Sequence, residues 1–374
     1  MRCPYCQSEN THTYYNAKMP NILSACSESM HENVKTYPIE AKLCNNCYLG
    51  FNSTRLNSDQ LKEIYTNYLY ISPASGIGHT KYVGMIETLK KYYSKEDVVV
   101  EIGCSEGYLL NKLKDEGYKN LIGVEPGPQA EVATKSGFEI ITDYFDENTM
   151  KGRKVNGFFL MHVFEHFENP FVFLDVMKNQ LSPNGKIIIE VPDFGGYHHQ
   201  HLYFYNLPFF RRLCNEKSLK IVDYIIEKDA MRVVLVLKEN NTYPEKEITI
   251  TARDISERAK KIHSTFLKKI NMLNNFINAC SGKKVVWWGA GSSSVISLNQ
   301  LDEVTLNSIE VIDGDKQKWD CFIPGTNLKV HSFFTIKDKK VECMVIASSL
   351  CAEIKKTMEE NNITADKLLI YGGV

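Results

Sequence analysis

The sequence predicts an α/β protein: a doubly wound parallel sheet in mid-chain, a short cysteine-bearing module before it and a second α/β unit after it. Three observations predict this. From Asp97 onward, short apolar runs alternate with amphipathic stretches, the pattern of βαβ units. A glycine loop, Glu101-Ile102-Gly103-Cys104-Ser105-Glu106-Gly107, follows the first of those runs, and a second loop, Gly289-Ala290-Gly291, follows Lys284 to Trp288. Two C-x-x-C pairs, Cys3/Cys6 and Cys44/Cys47, bracket the first stretch of chain.

A chain of 374 residues is long for one domain. With 43% hydrophobic and 24% charged residues it has the composition of an ordinary globular protein. The formal net charge of -1 leaves no global basic field to recruit nucleic acid. The longest apolar stretches, Gly157 to Phe164 and Met231 to Leu237, are far too short to span a bilayer. Cys3 and Cys6 precede any apolar run, so no signal peptide is expected. These points lead to a cytoplasmic, membrane-free protein, and in a reducing cytosol its eleven cysteines are expected as thiols or metal ligands, not disulfides.

The elements follow in order. Residues 1–55 form the cysteine module, with little helical periodicity. Residues 56–95 read as a helical lead-in, with Leu61, Ile64 and Tyr65, then Tyr82, Met85, Ile86 and Leu89 at helical spacing. The turn-rich Ser72 to Gly78 interrupts it. Residues 96–240 hold the central sheet. Its strands are Val98 to Ile102, Leu121 to Val124, Gly157 to Met161 and Lys186 to Val191, with helices over Tyr108 to Glu116 and Pro170 to Leu181. It closes in an antiparallel pair, Ile221 to Glu227 and Arg232 to Lys238. Residues 241–280 form a helical connector, and residues 281–374 the second α/β unit, with strands at Lys284 to Trp288, Ser308 to Asp313 and Cys343 to Ala347.

Each C-x-x-C pair can bring two thiolates to one metal. Cys3, Cys6, Cys44 and Cys47 together complete a tetrahedral site that suits Zn(2+) and leaves no open position. So short and polar a segment would draw much of its folding energy from the metal. Cys26 and His31, between the pairs, are possible substitutes. In the central sheet, Gly103 and Gly107 allow the backbone to turn tightly at the strand end where open α/β sheets bind ligands. Glu125 ends the next strand and can accept both hydroxyls of a ribose. The loop lacks the G-x-G-x-x-G spacing of a dinucleotide site. His162-Val163-Phe164-Glu165-His166 follows the strand Gly157 to Met161, at the same edge.

The pattern E-x-G-x-x-x-G resembles the first motif of class I methyltransferases dependent on S-adenosylmethionine (SAM), and H-V-F-E-H resembles a later segment of that class. The resemblance implies a class I methyltransferase Rossmann-like sheet, with SAM held by Glu101, Gly103, Gly107, Glu125 and His162, and, more loosely, Asp143 facing the adenine. The whole chain resembles the sugar C-methyltransferases, which join a zinc module, a SAM domain and a C-terminal Rossmann-like domain. In the last part Trp288 to Ser292, Asp313, Lys318 and Pro324-Gly325 resemble that family's glycine loop, its D-x-x-x-x-K stretch and its P-G. The catalytic H-E-H-L-x-Y of the family is here His199-Gln200-His201-Leu202-Tyr203-Phe204, with Gln200 in place of the glutamate. The resemblance implies His201 as the catalytic base, His199 as its rival and Tyr70 as a further catalytic contact. Tyr203 and Arg232 are implied as substrate contacts, although Asp229-Ala230 replace the family's glycine pair before Arg232.

SAM carries an already activated methyl group, so the protein must generate the nucleophile. Methylating carbon beside a ketone requires a base for the α-proton and a donor for the enolate. Methylating a hydroxyl requires only the base, and the loss of a glutamate at Gln200 keeps that alternative open. The implied substrate is a nucleotide-linked keto sugar. Gly289 and Gly291 either hold its nucleotide or form only a turn. A scaffold that binds SAM or a nucleotide sugar without turnover is the third reading. His198 to His201 also admits reading as a surface loop or a metal cluster.

Overall fold

The structure is a computed structural model that describes residues 1–54, 56–57, 59–60, 77–227, 229–239, 242–348 and 350–372, the side chains of 77–81 excepted. Three sheets organise the chain. The first begins with β1 (Thr11–Pro20), β2 (Thr36–Cys44) and β3 (Gly50–Asn52), paired antiparallel in that order.

The central sheet contains β4 (Val98–Ile102), β5 (Asn120–Val124), β6 (Glu139–Ile141), β7 (Val155–Met161) and β8 (Leu181–Pro192), all parallel to one another. Strand β9 (Tyr203–Phe204) leaves this sheet and pairs with β3 of the first. Strands β10 (Leu219–Glu227) and β11 (Ala230–Leu237) return antiparallel, which gives seven strands in the order β10-β11-β8-β7-β4-β5-β6. The order reverses between β4 and β7, and ligands of open α/β sheets bind at such a switch point, beyond the strand C-termini. The apolar runs Val99-Val100 and Ile187-Ile188-Ile189 are buried, as expected for parallel strands covered on both faces. The helices Ile77–Tyr92, Tyr108–Asp115 and Pro170–Gln180 provide part of that cover.

The third sheet is wholly parallel: β12 (Val285–Trp288), β13 (Ile309–Asp313), β14 (Val330–Ser332), β15 (Lys340–Ile346) and β16 (Thr364–Ile370), in the order β14-β13-β12-β15-β16. Its own switch point lies between β12 and β15.

Four features depart from the sequence expectations. The cysteine module is built on strands, and its sheet buries Tyr14, Met19, Ile39 and Leu43 against Ile255, Ala259, Phe266 and Ile270 of the helix Ala252–Asn278. That helix starts with a capping box made by Thr251 and Asp254, and it is a packing partner of the first sheet as well as a connector. Cys280 and Cys343 form a disulfide, against the expectation of thiols throughout. It ties the end of the long helix to the strand β15, a proximity that sequence distance conceals. Cys26 and His31 are not near the other cysteines' cluster: Cys26 bridges Phe322, and His31 Nε2 lies 2.6 Å from the Thr326 carbonyl. Tyr70 and Leu61 to Tyr65 lie outside the described residues.

Among the described residues, no helix is long and apolar enough to cross a membrane.

Candidate functional site

Two loops meet at the switch point of the central sheet. After β4 the chain turns through Gly103 and Gly107, whose φ angles of 77° and 74° lie in the left-handed region. A Cβ on Gly103 would come within 2.5 Å of Val163 Cγ2. This glycine is therefore required so that the first loop can pack on the segment that follows β7. The Glu125 carboxylate accepts from the backbone amides of Ser105 (3.0 Å) and Gly127 (2.7 Å), which fixes it beside the loop. Each oxygen retains a second lone pair for a ligand hydroxyl. Glu101 is buried, and its Oε2 has no hydrogen-bond partner. Burial, reinforced by Glu125, raises its pKa well above the ordinary carboxylate value. An orphaned acceptor at a strand end is the kind of group a ligand amine or hydroxyl would satisfy. Asp143 lies in the loop after β6, where it accepts from Tyr144 N at 2.7 Å.

After β7, His162 takes a left-handed backbone (φ 54°), which is uncommon for a residue with a side chain. Its N–H donates to the Glu190 carbonyl at 2.9 Å. Its ring stands between two carboxylates, with Nδ1 3.5 Å from Glu165 Oε1 and Nε2 3.4 Å from Glu190 Oε1. Burial disfavours the charged ring, yet Glu165 and Glu190 outweigh it and hold the His162 pKa up at about 9. Glu165 is fully buried, and neither carboxylate oxygen has a hydrogen-bond partner.

The loop between β8 and β9 carries the histidine-rich segment. It is stitched to the β7 segment by Leu202 N to Glu165 O (2.9 Å) and by His166 Nδ1 to Gln200 O (3.0 Å). Arg258, from the long helix, donates to the Asp193 carboxylate at 2.6 Å and so anchors the start of the loop. His199 and His201 are both buried, which corrects the reading of this segment as a surface loop. The loop separates them. His199 sits edge-on to Tyr37 of β2, with ring centroids 5.8 Å apart. His201 joins His166 and His198, at 4.8 and 3.6 Å between ring centroids, and its Nε2 lies 3.7 Å from Glu165 Oε1. Burial first, then the neighbouring His198 and His166, push the His201 pKa well below its usual value. Gln200 meets His166 through its carbonyl, a contact that any side chain at this position would preserve.

Two implied substrate contacts are engaged elsewhere. Arg232 is buried; its Nε donates to Glu190 Oε2 (2.7 Å) and its Nη1 to Gly84 O (2.8 Å) and Thr88 Oγ1 (2.9 Å), while its Nη2 also reaches Glu190. A buried charge needs such partners, so Arg232 fixes Glu190 and the helix Ile77–Tyr92 and is not free to reach a ligand. Tyr203 belongs to β9, and its hydroxyl donates to Glu168 O at 2.8 Å. Sequence reasoning gave no role to Glu165, His166 or Glu190. A charged residue ending the run Ile187-Ile188-Ile189 was the available signal for Glu190.

Away from this site, the four cysteine sulfurs of the first module all lie within 4.8 Å of one another, with Cys3–Cys47 at 3.5 Å and Cys6–Cys44 at 3.6 Å. A tetrahedral zinc with bonds of about 2.3 Å separates its sulfurs by roughly 3.8 Å, so the donor set fits that ion. In the C-terminal sheet, Gly289 (φ 125°) is required because a Cβ would meet the Ala347 carbonyl at 2.7 Å, whereas Gly291 faces open space. Asp313 accepts from Ala290 N (2.7 Å) and Asp315 N (2.8 Å), and Lys318 Nζ lies 3.5 Å away.

Residues 78–223 match a family model described as "Methyltransferase domain", and this segment contains the switch point, the glycine loop and the histidine cluster. Residues 78–223 form a methyltransferase domain. Over 110 residues, the chain is 27% identical to a tRNA U34 carboxymethyltransferase of Helicobacter pylori strain Shi470, which covers 26% of this chain and 41% of that protein. A tRNA U34 carboxymethyltransferase of Campylobacter hominis is 29% identical over 106 residues, 25% of this chain and 35% of its own. The chain thus spans about two fifths of the length of these curated relatives or less. Among solved structures, an S-adenosylmethionine-dependent methyltransferase from Clostridium acetobutylicum is similar with a TM-score of 0.35 and 11% identity, covering 48% of this chain and 98% of that one. Magnesium protoporphyrin IX methyltransferase from Synechocystis with bound SAM gives a TM-score of 0.35 and 11% identity, over 50% and 86%. The match covers β4 to β8 of the central sheet and the start of β10, and leaves β11, strands β1 to β3 and the third sheet outside it.

Proposed function

We propose that this chain transfers the methyl group of SAM to the carbon beside the ketone of a nucleotide-linked sugar. Glu101, Gly103, Gly107, Glu125 and His162 would hold SAM, which supplies an activated methyl group when bound. The observation that carries the reading is the cluster of His162, Glu165, His166 and His201 at the switch point, one loop away from the glycine turn. A ketone becomes a carbon nucleophile only if its α-proton is taken and the developing oxyanion is stabilised, and this cluster offers acceptors and a charge-bearing ring together. The whole-chain resemblance supports the sugar and its nucleotide, with the third sheet as the nucleotide's place. Zinc on Cys3, Cys6, Cys44 and Cys47 would hold the first module, in a cytoplasmic enzyme that needs neither nucleic acid nor membrane. O-Methylation of such a sugar is the second reading, favoured by Gln200 in place of the glutamate.

Titration calorimetry with SAM and S-adenosylhomocysteine, then mass spectrometry with UDP-, GDP-, CDP- and dTDP-sugars, tests this. A gain of one methyl on a keto sugar, with loss of deuterium from the neighbouring carbon, is expected. Retention of that deuterium would leave only O-methylation. Methyl gain on tRNA alone, the substrate class in the name of the curated relatives, or SAM binding without any turnover, would overturn the sugar reading.

A further inference from the structure

Glu165 poses a problem of unmet hydrogen bonding. Its carboxyl group is 0% exposed and neither oxygen has a hydrogen-bond partner, a state that native interiors rarely tolerate. Its nearest cationic neighbour, His162, stands at 3.5 Å, ion-pair reach but not a good hydrogen bond. Facing it are two imidazoles whose orientation is set from behind. His166 Nδ1 lies 3.0 Å from the Gln200 carbonyl, and His201 Nδ1 lies 2.7 Å from the Gly196 carbonyl. A carbonyl can only accept, so each ring carries its proton on Nδ1 and presents a bare Nε2. A ring nitrogen donating to a carbonyl while the other faces inward is the usual support behind a metal-bound histidine.

One ligand atom from each of Glu165, His166 and His201 falls within 4.8 Å of the others. Glu165 Oε1 and His201 Nε2 stand 3.7 Å apart. Two ligands about 2.1 Å from a common ion stand roughly 3 to 4 Å apart. Backbone also holds the set together: the Leu202 amide donates to the Glu165 carbonyl at 2.9 Å, next to His201.

We propose that Glu165, His166 and His201 hold one divalent transition cation, whose open positions take an oxygen of the acceptor sugar. Two imidazoles and one carboxylate on one side of the ion leave room for a bidentate oxygen ligand such as a hydroxy-ketone or a vicinal diol. The cation would act as a Lewis acid on that oxygen, and His201 would hold the ion in place of taking the proton itself. Only the identity of the oxygen ligand rests on the methyl-transfer reading; the cation site stands apart from it.

The test uses the full-length protein with its four-cysteine site filled by zinc, titrated with Mn(2+) and followed by the paramagnetic resonance of the free ion. Manganese favours nitrogen and oxygen donors over thiolates, so the cysteine cluster does not compete. One Mn(2+) per chain is expected, weakened at least about 100-fold in Glu165→Gln and in His166→Ala, with an unchanged circular dichroism spectrum and melting transition as the check on folding. Absence of saturable Mn(2+) binding, or binding unchanged in both folded variants, overturns the cation site. If Mn(2+) binds as expected and no sugar is methylated, the cation site stands and the sugar reading falls.

Discussion

The central and C-terminal sheets carry the same device: a parallel strand, a glycine turn with positive φ, and an acidic residue on the neighbouring strand. They use it differently. In the C-terminal sheet, among the described residues, no buried side-chain polar atom at the turn is left without a partner. Asp313 is bonded to two backbone amides, and Trp287 Nε1 donates to Ser294 Oγ at 3.0 Å. In the central sheet, Glu101 Oε2 and both oxygens of Glu165 are buried without partners. Folding tolerates such groups rarely, and a ligand is the usual compensation. Topology marks where a site can be, and at the central switch point it coincides with buried carboxylate oxygens that lack partners.

The largest effect expected concerns the module that supports the central site. Strand β9 follows the histidine segment directly and pairs with β3, in the same sheet as the cysteine cluster. Structural zinc contributes on the order of 10 kcal/mol to small domains. Chelation should therefore melt the first sheet and abolish methyl transfer, while the C-terminal sheet keeps its ultraviolet circular dichroism. Retained activity after complete zinc removal would separate the two.

Next, His201→Ala, which removes a ligand of the proposed cation, should lower methyl transfer by at least about 100-fold and leave SAM affinity within a few-fold, measured by turnover and calorimetry. His199→Ala, on the Tyr37 side, should cost far less. Equal losses would mean that both histidines act on the substrate.

Gly103→Ala forces a side chain into φ 77° and against Val163, a strain of about 1–3 kcal/mol, and should weaken SAM binding by at least about tenfold. Gly291→Ala meets nothing within 4 Å and should change thermal stability by less than about 0.5 kcal/mol. That pair of alanines sets the two glycine turns directly against each other.

Glu101→Gln gives the smallest effect. Burial raises the folded pKa of Glu101, so the folded protein binds a proton that the unfolded chain releases as pH rises above the ordinary carboxylate range. The wild type should therefore lose stability across that rise, up to the folded pKa, relative to the glutamine variant. Melting temperatures from pH 5 to 8 would show it: the gap between the two should widen in favour of the variant, which binds SAM less tightly.

Much of the frame is legible in the sequence because its signals are local. Val98 to Ile102 is a strand residue for residue as read, since a run rich in β-branched residues followed by a glycine turn has few other outcomes. The antiparallel pair β10/β11 lies within a residue or two of expectation, and the helix Ala252–Asn278 fills most of the connector expected over 241–280. The cysteine pairs announce their cluster by spacing alone. Strand β1 escaped notice because its alternation is weak and a bulge between Thr13 and Tyr15 shifts its register.

Tertiary structure decided the rest. Nothing local tells that Arg232 is consumed by Glu190 and the helix Ile77–Tyr92, that Cys280 finds Cys343, or that His199 and His201, two residues apart, face different parts of the molecule. Each depends on which segments pack together and on which charges lose water when they do. Local pattern fixes where strands and turns form; the company a buried group keeps is set by residues far away in sequence, and that company determines its chemistry.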